Sequence, residues 1–226
     1  MGGLLRLRSV GYGAVRGLRN LALGLLIGTG AAAAQPVVIA ALGDSLTAGY
    51  GLAEGEGFVP TMQAWLDDRG AEVELRNAGV SGDTTAGGLA RVDWTLTDDV
   101  DGLIVALGAN DMLRGIDPAV TRQNLAGILD AAGEAGVEAL LFGIAAPGNY
   151  GPDYQRAFDA IYPELAEDYD ALLGPTFLAP LRDAVGEGDP ASVMQADGIH
   201  PNAAGVEIIV EGLGPSVLEL AKRARR

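Results

Sequence analysis

The chain has no cysteine and only one histidine in 226 residues. The first absence excludes disulfides, thiol nucleophiles and Cys-ligated zinc, and it leaves the redox compartment open. The second excludes a histidine-rich metal centre. Basic residues are also scarce, with 15 Lys and Arg against 30 Asp and Glu and a net charge of -15. Four of those 15, Arg6, Arg8, Arg16 and Arg19, fall in the first 34 positions, which carry no acid. Beyond them, 11 basic residues face 30 acidic ones. A body this acidic is unsuited to neutralising nucleic-acid phosphates or to anionic membrane surfaces. The apolar run near the N-terminus falls short of the ~20 residues that a membrane-spanning helix needs.

That N-terminal stretch has an order of its own. An acid-free, arginine-bearing segment leads into Leu21-Ala22-Leu23-Gly24-Leu25-Leu26-Ile27-Gly28, then into Ala31-Ala32-Ala33-Ala34-Gln35. A positive region, a short apolar core and small residues in succession predict a secretory signal peptide over 1–34. Cleavage is expected after Ala34, leaving a single domain over 35–226. The expected product is periplasmic or secreted, a monomer, with no stable membrane anchor.

Along the body, apolar runs alternate with helical periodicity. Val37 to Leu42 is a continuous apolar run ended by Gly43, as for a strand buried on both faces. Phe58–Arg69 follows as a helix, Val73–Leu75 as a strand and Thr84–Leu96 as a helix. Leu103–Leu107 reads as a third strand. Pro118–Ala135 reads as a helix opened by Asp117-Pro118 and closed by Gly136. Ala139–Ile144 is a fourth strand, Tyr154–Tyr169 a helix interrupted or bent near Pro163, and Leu172–Phe177 holds a short fifth strand. Asn202–Ala224 is a final helix, with a kink expected at Gly212-Leu213-Gly214-Pro215. Strand followed by helix, repeated, predicts a parallel sheet covered on both faces. Ligands of such sheets bind beyond the carboxyl ends of the strands.

Four polar blocks fall at those ends. They are Gly43-Asp44-Ser45-Leu46, Gly79-Val80-Ser81-Gly82-Asp83, Gly108-Ala109-Asn110-Asp111 and, before the last helix, Asp197-Gly198-Ile199-His200. Acyl transfer needs a nucleophile, a base, a group that orients the base, and donors for the oxyanion. Ser45 offers the hydroxyl and His200 is the only imidazole. Asp197 is three residues from it. Gly82 offers a backbone N–H, Asn110 a side-chain amide, and Ser45 its own backbone N–H. The G-x-S-x-G elbow of ordinary α/β-hydrolases fits neither Ser45 nor Ser81, because Thr47 and Asp83 stand where the second glycine belongs. Two other readings use the same blocks. In one, Asp44, Asp83, Asp111 and Asp197 hold a metal for phosphohydrolysis. In the other, the fold is a binding protein without catalysis.

In these blocks the sequence resembles the GDSL, or SGNH, hydrolases. All four family blocks occur in order: GDSL at 43–46, the glycine of the second block, GxND at 108–111 and DxxH at 197–200. The runs Gly88-Leu89-Ala90-Arg91, Asn149-Tyr150-Gly151 and Phe158-Asp159-Ala160-Ile161-Tyr162-Pro163 look most like the bacterial periplasmic thioesterase I, arylesterase and lysophospholipase branch. The resemblance implies an α/β fold, a three-layer α/β/α sandwich around a five-stranded parallel sheet of flavodoxin-like type. It implies a serine hydrolase of carboxylic esters or thioesters working through an acyl-serine, without cofactor or metal, on a small-molecule acyl substrate. Ser45 is then nucleophile, His200 base and Asp197 its orienter, with Ser45, Gly82 and Asn110 as the oxyanion hole. Met112, Ala146, Pro147 and Tyr150 are expected around the substrate. Ala146 stands where thioesterase-like relatives tend to carry a bulkier apolar residue, so, where that loop lines the acyl site, a roomier or differently shaped site is expected.

Overall fold

The computed structural model describes Gly2, residues 35–186 and residues 188–225. The expected signal peptide and its cleavage point after Ala34 lie, Gly2 apart, outside the described residues.

Val37–Gly43 forms β1, and all seven residues are buried. Aliphatic side chains on both faces of a pleat need cover from both sides, which makes this a central strand. It pairs in parallel with β2 (Val73–Gly79) on one edge and β3 (Gly102–Ala106) on the other. β4 (Glu138–Leu141) follows β3, and the two-residue β5 (Leu172–Leu173) ends the sheet. The order β2-β1-β3-β4-β5 reverses direction between β1 and β3, which is the switch point where open α/β sheets bind ligands. Gly43 lies level with Gly79 on one neighbour and Ala106 on the other. The first three polar blocks therefore leave the sheet side by side.

In chain order the helices among the described residues are α1 (Ser45–Ala48), α2 (Phe58–Asp67), α3 (Thr85–Thr95), α4 (Ala109–Leu113), α5 (Pro118–Ala135), α6 (Pro152–Asp159), α7 (Ile161–Asp168), α8 (Ala179–Val185) and α9 (Ala203–Ala224). α2, α8 and α9 pack together over one face of the sheet, and α3, α5, α6 and α7 over the other. This is the expected α/β/α sandwich on a five-stranded parallel sheet. α5 has the expected bounds: the Asp117 carboxylate accepts from the Ala119 N–H, and Gly136 closes it in the left-handed region.

The expected interruption near Pro163 is present: the helix over 154–169 is divided at Ala160 into α6 and α7. The ring of a helical proline collides with the carbonyl four residues earlier, here Asp159, so the break falls one turn upstream. α9 is one continuous helix that includes Pro215. Its glycines serve close packing. A Cβ on Gly212 would lie 2.4 Å from Pro180, and one on Gly214 would lie 2.6 Å from the Trp65 ring. β2 extends to Gly79, four residues beyond the apolar run, because pairing with β1 carries its polar end.

Candidate active site

Chain direction changes sharply where β1 ends. The Asp44 carboxylate accepts from the Leu46 N–H at 3.0 Å and caps α1, whose first residue is Ser45. On the other side of the cleft, the loop before α9 is held by an antiparallel bridge between Met194 and Pro201. Within that loop Asp197 Oδ1 accepts from the N–H of Ile199 at 2.9 Å and of His200 at 3.0 Å. The same carboxylate's Oδ2 lies 2.7 Å from His200 Nδ1, and His200 Nε2 lies 2.9 Å from Ser45 Oγ. Three residues from opposite ends of the domain thus form one continuous hydrogen-bonded chain. The Tyr50 ring packs on the imidazole at 4.7 Å between centroids.

This chain can move a proton in a defined direction. With Nδ1 protonated and held by Asp197, Nε2 presents a lone pair to the serine hydroxyl. The backbone N–H of His200, its ring and the N–H of Ile199 hold the Asp197 carboxyl down at about 2. It is therefore a carboxylate across the neutral range and always an acceptor for Nδ1–H.

Asn110 and Gly82 border the same cleft. The Asn110 amide donates to Asp44 Oδ2 at 3.3 Å, which leaves its second amide hydrogen for another acceptor. Gly82 has φ +83, a conformation that favours glycine, inside the turn closed by Asp83 N–H to the Val80 carbonyl at 3.0 Å. The Arg114 guanidinium holds the Gly82 carbonyl at 2.8 Å.

Burial, offset in part by the Leu46 and Asn110 hydrogen bonds, pushes the Asp44 carboxyl up from 3.8 to about 6. The folded protein thus holds a proton there that the unfolded chain gives up between pH 3.8 and about 6. The contribution to stability is present in full below the unfolded value and is lost as pH rises through the folded one. The change amounts to roughly 3 kcal/mol at most. Urea unfolding of the wild type and of Asp44→Asn at pH 4 and pH 7.5 isolates it. The wild type should lose stability relative to Asp44→Asn on going to the higher pH. Equal losses in the two proteins would remove Asp44 as the titrating group.

The cleft encloses about 600 Å³. Apolar side chains line much of it, including Leu46, Met112, Leu113, Ile144 and Leu178. Of the expected substrate residues, Met112 lines the cleft, whereas Ala146, Pro147 and Tyr150 do not. Ala146 is buried, its N–H donating to Asp159 and its carbonyl accepting from Gln155, and Pro147 faces solvent. Tyr150 packs at a tilt against Tyr154 and donates to the carbonyl of Leu113, itself a lining residue, at 3.3 Å. Ile144 and Ala145, just before that loop, take the place expected for it. Thr176, Leu178 and Arg182, from β5 to α8, also line the cleft. No sequence pattern had singled them out.

The four acids of the metal reading are engaged separately. Asp83 is paired with Arg91, and Asp197 with His200. Asp44 binds Leu46 and Asn110. Asp111 is fully buried and accepts from the Thr85 backbone and hydroxyl and from Thr121, tying α4 to α3 and α5.

Fold and site together define a serine hydrolase of the α/β class. The family model described as "GDSL-like Lipase/Acylhydrolase family" matches residues 41–208, and the chain belongs to that family. It is 41% identical over 199 residues to Esterase TesA of Pseudomonas aeruginosa, covering 88% of this chain and 95% of that one. It is likewise 41% identical to the Escherichia coli protein named Thioesterase 1/protease 1/lysophospholipase L1, over 76% of this chain and 78% of that one. Among solved structures it superposes on AlinE4, an SGNH-hydrolase family esterase, with a TM-score of 0.66 and 46% identity. That match covers 81% of this chain and 96% of the other. The chain is a serine ester hydrolase.

Proposed function

We propose that the enzyme cleaves carboxylic esters, and thioesters of similar shape, by transient acylation of Ser45. The observation that carries this is the unbroken chain from Asp197 through His200 to Ser45 Oγ, at 2.7 and 2.9 Å. His200 Nε2 takes the hydroxyl proton as Oγ attacks the acyl carbon. The oxygen that becomes negative is received by the backbone N–H groups of Ser45 and Gly82 and by the free amide hydrogen of Asn110. Collapse expels the alcohol or thiol, which leaves with the proton held on His200. Water then repeats the sequence in reverse roles and frees the acid. No cofactor or metal takes part.

The apolar cleft lining suits an acyl chain. The relatives' names, which include esterase, thioesterase and lysophospholipase, support acyl substrates in general. With 30 acidic residues against 11 basic ones beyond the first 34 positions, the body repels polyanionic carriers, which favours simple carboxylic esters over acyl-CoA. The signal-like order of residues 1–34 supports a periplasmic or secreted protein that begins at Gln35.

One experiment tests both parts. Cells expressing the full chain are fractionated, and the exported protein is treated with a fluorophosphonate in the presence of EDTA and mapped by mass spectrometry. The adduct should lie on Ser45 of a chain beginning at Gln35, with ester hydrolysis undiminished by the chelator. An active, unlabelled enzyme that EDTA silences would overturn the serine reading. A chain beginning at Met1 would overturn the export reading.

A further inference from the structure

Arg91 lies in the middle of α3, away from the acyl-transfer residues, yet its side chain is only 22% exposed and all three guanidinium nitrogens donate hydrogen bonds. Nε donates to Asp83 Oδ2 at 2.7 Å. Nη1 donates to the Ala78 carbonyl at 2.7 Å and Nη2 to the Gly43 carbonyl at 2.9 Å. These acceptors sit on the three segments that matter most for geometry. Gly43 is two residues before Ser45. Ala78 is the penultimate residue of β2, and Asp83 directly follows Gly82. The Gly43 carbonyl also accepts from the Val80 N–H at 3.0 Å, so the start of the second block is tied to the first. Gly87 makes room for the arrangement, since a Cβ there would lie 2.1 Å from Asp83 Oδ1.

Carbonyls leaving the ends of parallel strands have lost their ladder partners, and the planar fork of an arginine can serve several at once where lysine offers a point charge. The Gly82 turn has few other anchors. Val80 binds back to β1, and Arg114, an exposed side chain, holds the Gly82 carbonyl. A shift of this turn would move the Gly82 N–H relative to Ser45 Oγ without touching substrate.

We propose that Arg91 is a positioning residue for oxyanion stabilisation, fixing the Gly82 amide relative to Ser45 by joining the Gly43 carbonyl, the Ala78 carbonyl and the Asp83 carboxylate. The inference rests on the reading of Gly82 and Asn110 as oxyanion donors given above. Its mark is kinetic. A donor displaced by about an ångström lowers kcat by roughly a hundredfold, because the donor acts on charge that exists only in the transition state.

The test compares Arg91→Lys, the double variant Arg91→Met/Asp83→Asn, and Asn110→Ala. The double variant removes both members of the ion pair and so leaves no unpaired half-buried charge to unfold the protein. With a p-nitrophenyl ester, kcat should fall roughly a hundredfold in the double variant while KM stays within about threefold. Phosphonylation of Ser45 should slow by the same factor, because it too places charge on an oxygen in that position. Arg91→Lys should fall between wild type and the double variant. If Asn110→Ala loses turnover but both Arg91 variants, though less heat-stable, keep wild-type kcat and phosphonylation rates, Arg91 is structural only and the proposal fails alone. A rise in KM at unchanged kcat overturns it as well. If Asn110→Ala itself keeps full activity, the oxyanion reading fails and takes the proposal with it.

Discussion

His200→Ala should lower kcat for a p-nitrophenyl ester by about 10⁵- to 10⁶-fold, and Ser45→Ala by a similar factor. The size follows from the hydrogen-bonded chain. Without Nε2 at 2.9 Å from Ser45 Oγ, the hydroxyl must lose its proton to water, and the leaving group must depart without an acid. No other histidine exists in the 226 residues, so no second imidazole can stand in. The two residues act as one unit, and the double variant should be no slower than either single one. What survives comes from the oxyanion donors and the cleft, worth about 10³–10⁴ over water in enzymes of this type. Folding is a separate matter. His200 is half-buried in a loop and Ser45 begins a four-residue helix, so circular dichroism and the thermal midpoint should change little. A folded His200→Ala enzyme that keeps a tenth of wild-type turnover would end the serine–histidine mechanism. So would a double variant whose loss is the product of the single losses.

The site was legible because of where its residues fall along the chain. Val37 to Leu42 suited a strand covered on both faces, and strand–helix alternation then placed Ser45, Gly82 and Asn110 beyond strand ends. The structure places them there, with Gly43, Gly79 and Ala106 in register. Pro118–Ala135 was legible to the residue because both ends carry strong local signals, an Asp-Pro entry and a glycine exit. The helices α1, α4 and α8 were not, at four, five and seven residues, since two turns are too few for a hydrophobic period to emerge. The cleft wall was legible only in part. Met112 was expected and lines it, whereas Ile144, Ala145, Thr176 and Leu178 come from loops after β4 and β5, and Arg182 from the short α8. In such loops neither the 3.6 nor the 2.0 period tells which way a side chain points. Ala146 turns into the core for that reason, while its neighbour Ala145 faces the cleft. Arg91 stood in a run that suggested the family, but a guanidinium that binds three segments is a property of the folded loops alone.

Asp197→Asn should lower kcat by about 10⁴-fold while leaving the loop in place. The carboxylate does two things at once. Oδ1 receives the N–H groups of Ile199 and His200, and Oδ2 receives His200 Nδ1. An asparagine can keep its oxygen on the two backbone donors, which preserves the turn through Gly198. Its NH₂ then faces Nδ1, which must become an acceptor, so the ring proton moves to Nε2. In that tautomer His200 donates to Ser45 Oγ instead of accepting from it, and the nucleophile cannot be deprotonated. Asp197→Ala would confuse this with loss of the turn, which is why the amide is the sharper variant. Its pH behaviour separates orientation from charge. Held at about 2, chiefly by the His200 N–H and ring, Asp197 stays ionised in the folded enzyme well below neutrality. The acid limb of kcat/KM therefore belongs to another group, and its midpoint should not follow Asp197. In stability the sign is that of a depressed carboxyl. Its contribution is present above the ordinary value of 3.8 and is lost as pH falls through about 2. Wild type and Asp197→Asn should thus differ in unfolding midpoint above pH 4 and converge toward pH 2. If instead the variant keeps within tenfold of wild-type kcat, the imidazole has its tautomer from elsewhere, and Asp197 serves only to shape the loop.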